Sequence, residues 1–342
     1  MSTRPVGVAM LGTASMPHAW AFTSAVTAAD NARVVGVHDA EPEYTRWIQQ
    51  DFGVPFVEDA GELVSSPGVD AVVVCSATAD HRAYVELAAA HGRHVLCDKP
   101  IATTLDDAQA MLDACAAAEV QLHIAFVARF LPVVARAREA IRDGRLGELI
   151  GLVGGNRGRP PLAPMYPPWI TDPLAAGGGA LIDHSVHVTD AMRHVSGLEV
   201  AEVSAEAGPL LWDCGVDDVA ILLLRFANGA VGSVDPSWSV PADHPWDYDF
   251  FLRVVGIEGS LDITDSAGSL HVVSAREGGP RGLRHASYAE DPDQRMIEAF
   301  LASVRSGSIQ ARCATGDDGV RALEIALAGY RSVASRDVVG LG

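Results

Sequence analysis

From Val6 to Val127 short apolar runs alternate with stretches of helical pattern. The apolar runs, Val6 to Leu11, Val34 to Val37, Ala71 to Cys75, His94 to Cys97 and Leu122 to Val127, read as strands. Unbroken apolarity such as Ala-Val-Val-Val-Cys is what a parallel strand buried on both faces requires. The stretches between them carry helix punctuation: Pro42 opens one that Gly53 follows, Asp80 opens another that Gly92 stops, and Thr104 with Asp107 has capping-box spacing before an Ala-rich run to Ala118. Strand and helix in strict alternation predict a doubly wound α/β domain with a parallel sheet.

After Arg129 the pattern changes. A helix from about Leu131 to Asp143, stopped by Gly144, leads to a strand near Leu149 to Val153. Six prolines between Pro160 and Pro173 then mark a long loop, and long loops inside compact domains are usually functional. Ala180 to Val195 reads as a helix. Alternating strands follow at Val219 to Phe226, at Ala230 to Val234 after the turn Asn228-Gly229, and at Phe250 to Val255. Helices over Asp293 to Val304 and Gly316 to Ser332 close the chain. This half is expected to be α+β with a mostly antiparallel sheet, dividing the chain into 1–128 and 129–342.

Composition narrows the function classes. Of 342 residues, 49% are hydrophobic and 20% charged, so apolar side chain is ample for folded cores despite a net charge of −19. No basic cluster is present, which argues against nucleic acid and anionic membrane as partners. No apolar run approaches the roughly 18 residues of a membrane helix, and Met1 to Gly12 lacks the layout of a signal peptide. A cytoplasmic protein is expected. Five cysteines without CxxC spacing fit reduced, mostly buried thiols. The 25 basic residues are 24 arginines and one lysine, Lys99.

Three segments carry candidate chemistry. The turn after the first strand, Gly12-Thr13-Ala14-Ser15-Met16-Pro17-His18, keeps one glycine of a dinucleotide fingerprint, with Ala14 and Pro17 at the other two places. It reads as a phosphate loop or as an ordinary strand-to-helix turn. Asp39 ends the second strand, where a carboxylate binds ribose hydroxyls and repels a 2′-phosphate; this favours NAD over NADP, and a helix cap before Glu41 is compatible with it. Lys99, in Asp98-Lys99-Pro100, follows the fourth strand and so points toward the crevice where such sheets bind ligands. It reads as an ordinary surface lysine or, in a chain that otherwise writes positive charge as Arg, as a compact three-donor cation kept for function. Third, Gly177-Gly178-Gly179 precedes Asp183 and His187, which are i and i+4 on one helix face. A carboxylate beside an imidazole suits proton transfer. Asp190 and His194 continue that face, so it also reads as a polar stripe or a metal site. One helix face does not curl around an ion, and no metal is expected.

These segments, with "VARFLP" at Val127 to Pro132, "GGGALIDHSVHVTD" at Gly177 to Asp190 and "GIEGSLDI" at Gly256 to Ile263, resemble the Gfo/Idh/MocA family of NAD(P)-dependent oxidoreductases. The resemblance covers essentially the whole chain. It implies a Rossmann domain over 1–128, and over 129–342 a substrate-binding and oligomerisation domain with an open-faced sheet. It also implies sugar, inositol or other polyol substrates, and a homo-oligomer, dimer or tetramer, built through that sheet. By position the family's catalytic residues correspond to Lys99, Asp183 and His187. Cofactor contacts are expected from Gly12, Thr13, Ala14, Asp39, Ser76, Ala77, His81, Asp98 and Lys99. Substrate contacts are expected from Lys99, Arg157, Trp169, Asp183, His184, His187 and Trp238, with Tyr166 and His244 on the same rim. The chain departs from the family pattern at the phosphate loop, at Asp98 where Glu is usual, at Ala77 where Pro is usual, and at Ser185 where Gly is frequent.

The expected reaction is hydride transfer from a carbinol carbon to NAD. His187 takes the hydroxyl proton, Asp183 orients its ring, and Lys99 stabilises the developing negative charge. Two other classes remain open: a glycoside hydrolase or lyase working through transient oxidation by tightly held NAD, and a non-catalytic cofactor-sensing regulator.

Overall fold

The computed structural model describes residues 4–162, 166–241, 243–244, 247–264, 269–274, 282–287 and 291–342. The chain starts as five strands and five helices: β1 (Val6–Leu11), α1 (Met16–Ala28), β2 (Ala32–His38), α2 (Arg46–Phe52), α3 (Ala60–Ser65), β3 (Ala71–Val74), α4 (His81–Ala90), β4 (His94–Cys97), α5 (Leu105–Ala117) and β5 (Leu122–Ile124). The strands pair in parallel in the order β5-β4-β3-β1-β2. Strand order reverses between β1 and β3, and a ligand crevice belongs at the carboxyl ends of those two strands. Two helix signals act as read, while Pro42 starts a 3-10 turn (Pro42–Thr45) ahead of α2 and Asp80 precedes α4 without a side-chain cap. Thr104 Oγ1 accepts the N–H of Asp107, and Gly53 ends α2 in a left-handed conformation.

The second half contains α6 (Pro132–Arg142), β6 (Leu149–Gly158), α7 (Pro173–Ala176), α8 (Ala180–Ser196), β7 (Val200–Gly208), β8 (Val219–Phe226), β9 (Val231–Ser237), β10 (Tyr248–Gly256), β11 (Ser260–Thr264), β12 (Ser269–Ser274), β13 (Gly282–Ser287), α9 (Pro292–Ser306), β14 (Ala314–Thr315), α10 (Gly316–Ser335) and β15 (Val339–Gly340). Seven of these strands form a sheet in the order β11-β10-β6-β9-β8-β7-β15; β6 and β9 are parallel and every other pair antiparallel. Helices α8 and α10 pack on one face.

Several segments differ from the sequence reading. The strand expected to reach Val127 stops at Ile124, and Val127–Phe130 is a 3-10 turn that buries the Arg129 guanidinium against Asp190, 2.5 Å away. β6 runs on to Gly158 through glycines that resemble a strand end. They are there because neighbours press close: a Cβ on Gly154 would lie 2.8 Å from Val188 Cγ1, and one on Gly155 2.5 Å from the Phe251 ring. α3 and β7 had no strong signal. The end of the chain also returns to the first sheet, where β14 pairs antiparallel with β5 and α9 packs on α1. One apolar core consequently runs from Leu11 and Val74 through Ile182 and Val188 to Leu222 and Leu252.

Candidate active site

The loops after β1, β2, β3 and β4 meet at one edge of the first sheet. Gly12 has φ +70°, and a Cβ there would fall 2.3 Å from Ser76 Cβ, so the turn passes the β3 loop only as glycine. Asp39 ties this loop down: one carboxylate oxygen accepts the Thr13 N–H at 2.5 Å and the other accepts the Glu41 N–H at 2.9 Å. Ser76 and Ala77 are buried alongside. α1 begins without a side-chain cap, which leaves first-turn N–H groups for a ligand. Trp169 Nε1 donates to the Ala14 carbonyl at 3.0 Å, so the Pro-rich loop lies against the phosphate loop. A tight glycine turn, an uncapped helix start and a carboxylate at the end of β2 fit a dinucleotide.

From this edge a cleft of about 330 Å³ extends toward the second sheet, lined by Ser15, His18, Lys99, Asn156, Arg159, Tyr166, Trp169, Asp183, His184, His187 and Tyr248 among others. Lys99 follows β4 and reaches across to α8. Its Nζ lies 2.5 Å from Asp183 Oδ1 and 3.2 Å from the Asp183 carbonyl oxygen. Burial opposes the ammonium charge, but Asp183 and Asp98 outweigh it and raise its pKa overall. Burial likewise opposes the Asp183 carboxylate, while Lys99 and His184 hold it well below the usual carboxylate range. The other carboxylate oxygen, Oδ2, accepts from Trp238 Nε1 at 3.1 Å and lies 3.2 Å from His184 Nε2.

His184 Nδ1 faces only carbonyl oxygens, of Asn156 at 3.0 Å and Ser237 at 3.1 Å, so that nitrogen carries a hydrogen. His187 is different. Burial, then the Lys99 charge, push its pKa well below the ordinary histidine value, leaving a neutral imidazole. Its ring meets the Phe126 ring edge-on at 6.3 Å and makes no hydrogen bond among the described residues. A neutral, unpartnered imidazole beside a fixed ammonium is an arrangement suited to removing a hydroxyl proton.

Five expectations need correction. Asp183 does not orient His187; at i and i+4 they are neighbours, but the carboxylate turns to Lys99, Trp238 and His184. Arg157 is outside the cleft. It sits on the opposite face of β6 from Asn156, in ion pairs with Asp235 at 2.5 Å and Asp249 at 3.0 Å. Trp238, 1% exposed, holds Asp183 from behind rather than facing a substrate. His81 is buried with Nδ1 3.0 Å from the Pro100 carbonyl oxygen, bracing the turn that carries Lys99. Asp98 is buried against His18, 2.8 Å from its Nδ1, instead of facing the cleft. In addition, Asp190 belongs to the Arg129 ion pair. Asn156, Arg159 and Tyr248 are lining residues the sequence reading missed. Alternation along β6 identifies Asn156 as inward once the strand is carried to Gly158. Among the described residues no group of three or more His, Cys, Asp or Glu is placed to hold a metal ion, and no helix is long and apolar enough to cross a membrane.

The two sheets and the cleft between them define an NAD-binding oxidoreductase. Residues 6–126 match the oxidoreductase family with an NAD-binding Rossmann fold, and residues 134–262 match the GFO/IDH/MocA C-terminal domain. The chain is 31% identical to 1,5-anhydro-D-fructose reductase of Ensifer adhaerens, over 82% of each protein. It is 29% identical to myo-inositol 2-dehydrogenase of Thermotoga maritima, over 91% of this chain and 92% of that one. The structure superposes on GenD2 from gentamicin A biosynthesis, solved in complex with NAD, with a TM-score of 0.90 over 100% of this chain and 98% of that one, at 23% identity; this is a likeness of fold. The chain belongs to the Gfo/Idh/MocA family of oxidoreductases.

Proposed function

We propose that this chain oxidises a secondary alcohol of a cyclic polyol or sugar, with Lys99, Asp183 and His187 as the reacting-centre residues. The observation that carries the reading is the buried Lys99–Asp183 pair at 2.5 Å beside a neutral imidazole with no hydrogen-bond partner among the described residues, all lining one cleft. NAD would be held by the loop from Gly12 to Ser15 and by Asp39, and would supply the hydride acceptor. Lys99 donates to the alcohol oxygen and stabilises negative charge as the proton leaves. His187 receives that proton. Asp183 keeps the ammonium charged and aimed, and Trp238 and His184 keep Asp183 in place. The wall opposite is polar and aromatic: Asn156, Arg159, and Tyr166 with its hydroxyl 3.3 Å from that of Tyr248. Hydrogen-bonding groups beside ring faces suit a polyhydroxylated ring. The names of the relatives, an inositol dehydrogenase and an anhydrosugar reductase, agree with that class.

The test is NADH formation over a panel of inositols, aldoses and anhydrosugars. At least one is expected to be oxidised with accumulation of NADH. Tight NAD binding with no turnover across the panel would refute the reading, and turnover without NADH accumulation would identify transient redox instead.

A further inference from the structure

The loop after β1 spends much of its own donor capacity internally: the N–H groups of Gly12, Thr13 and Ser15 go to the His38 carbonyl, the Asp39 carboxylate and the Cys75 carbonyl, which leaves mainly the uncapped first turn of α1 to face a diphosphate. Ala14 and Pro17 stand at two of the three glycine places, and Pro17 has no N–H. Close by lies Asp98, a carboxylate only 2% exposed, whose negative charge would repel a diphosphate in the adjoining crevice. His18, in the first turn of α1, answers both deficits. Its Nδ1 is 2.8 Å and 3.1 Å from the two Asp98 oxygens and 3.4 Å from Ser15 Oγ. The ring stacks on Phe22 at 5.8 Å, and its Nε2 has no hydrogen-bond partner among the described residues. The side chain is 32% exposed and lines the cleft. Asp98 also accepts the Lys99 N–H at 2.8 Å, which fixes the pair to the strand end that carries the ammonium.

We infer that His18, kept as an imidazolium by Asp98, is a cofactor-binding residue that donates from Nε2 to the diphosphate of the dinucleotide, adding to the first-turn N–H groups what the engaged N–H groups of the loop do not give. The inference rests on the NAD reading of the cleft and is independent of which alcohol is oxidised. A charge-assisted bond from a cation offsets the buried Asp98 charge and adds a donor at the same point. The charged surroundings agree. Burial disfavours the imidazolium, Asp98 more than restores it, Lys99 opposes it, and Asp293 in the first turn of α9 supports it, so the pKa lies above the ordinary histidine value. His187, across the cleft on α8, stays neutral. Asp293 is itself pushed up by burial to about 6. His18 is protonated below its raised pKa, so diphosphate binding is strongest there and weakens as pH rises through that value.

The experiment is calorimetric titration of the full chain with ADP-ribose and with adenosine, from mildly acidic to alkaline pH, for wild type, His18→Gln and Asp293→Asn. Wild type is expected to bind ADP-ribose more weakly as pH rises. His18→Gln should weaken ADP-ribose binding at low pH by about ten- to a hundredfold, the weight of a hydrogen bond to a charged group. It should also flatten the pH profile and leave adenosine affinity unchanged, while Asp293→Asn keeps the pH step. Equal losses for ADP-ribose and adenosine, or an undiminished pH step in His18→Gln, would overturn the inference. Should that variant misfold, NMR titration of His18 in wild type decides: its pKa rises further with ADP-ribose bound, and an unchanged pKa overturns the assignment. No ADP-ribose binding by wild type would sink the NAD reading itself, whereas binding indifferent to His18 sinks only this inference.

Discussion

At Lys99 the site demands a compact charge. Its Nζ, on a largely buried side chain at the wall of the cleft, fits between the carboxylate and the carbonyl oxygen of one residue, Asp183, and a planar guanidinium does not reproduce that geometry. Lys99→Arg is expected to keep the fold and lower kcat by about 10²–10³, the usual loss for one transition-state donor; steady-state kinetics beside a thermal melt checks both halves. His187→Ala should cost about 10²–10⁴ in kcat as a lost general base, with NAD affinity in calorimetry unchanged, and parallel losses would make the residue structural. The pH dependence has a definite sign. Because the His187 pKa is depressed, the imidazole is neutral through and below the ordinary value of 6.5, and kcat for oxidation should show no acid limb there. A limb at that value in kcat would mean that another group is the base. The Lys99 signal was legible in composition alone, as one lysine among 24 arginines. The partner of Asp183 was not, since i and i+4 spacing makes two side chains neighbours without deciding which way a carboxylate turns.

Among the elements, β6 shows how packing overrides local signal. Its Gly154-Gly155 pair has low strand propensity, yet the strand continues because Val188 of α8 and the Phe251 ring leave no room for a Cβ. Gly155→Ala is expected to destabilise the chain by about 1–3 kcal/mol through overpacking, seen as a lower denaturation midpoint at unchanged m-value; a neutral result would mean that the ring swings aside freely. The same misread length hid the polar wall of the cleft. Carried only to Val153, the strand leaves Arg157 in a loop, free to face anywhere; carried to Gly158, alternation turns Asn156 inward and Arg157 outward onto Asp235 and Asp249. The start of α5 was legible because capping is local chemistry, as at Thr104; the capping box of Thr315 with Asp318 that starts α10 is the same chemistry, and the sequence reading did not single it out.

Across the whole molecule, the seven-stranded sheet has helices on one face and side chains such as Ile221, Leu223, Val231 and Val153 exposed on the other. Around this strip the charges are already paired within the face, Arg225 with Glu202 at 2.9 Å and Arg253 with Asp262 at 2.5 Å. An apolar strip whose bordering charges are already neutralised loses little electrostatic solvation when covered, and we propose that a second copy of this chain covers it. Leu223→Asp, at a position 58% exposed, should lower the mass measured by light scattering without loss of the folded protomer. An unchanged mass would exclude this face. The returning segment, with β14 on β5 and α9 on α1, binds the end of the chain to the first sheet, and one apolar core reaches both sheets.

By itself the sequence determined what depends on neighbours in the chain: the parallel strands, from their unbroken apolar runs; most helix ends, from capping; and the identity of Lys99, Asp183 and His187 as candidates, from residue type and spacing. Tertiary structure decided the partners. That Asp183 serves Lys99 rather than His187, that Trp238 and His81 brace the site from behind, and that Asp98 spends its charge on His18 all follow from contacts between residues 19 to 84 positions apart. Orientation of a side chain across such a span is set by what the rest of the fold packs around it, and no local pattern encodes that.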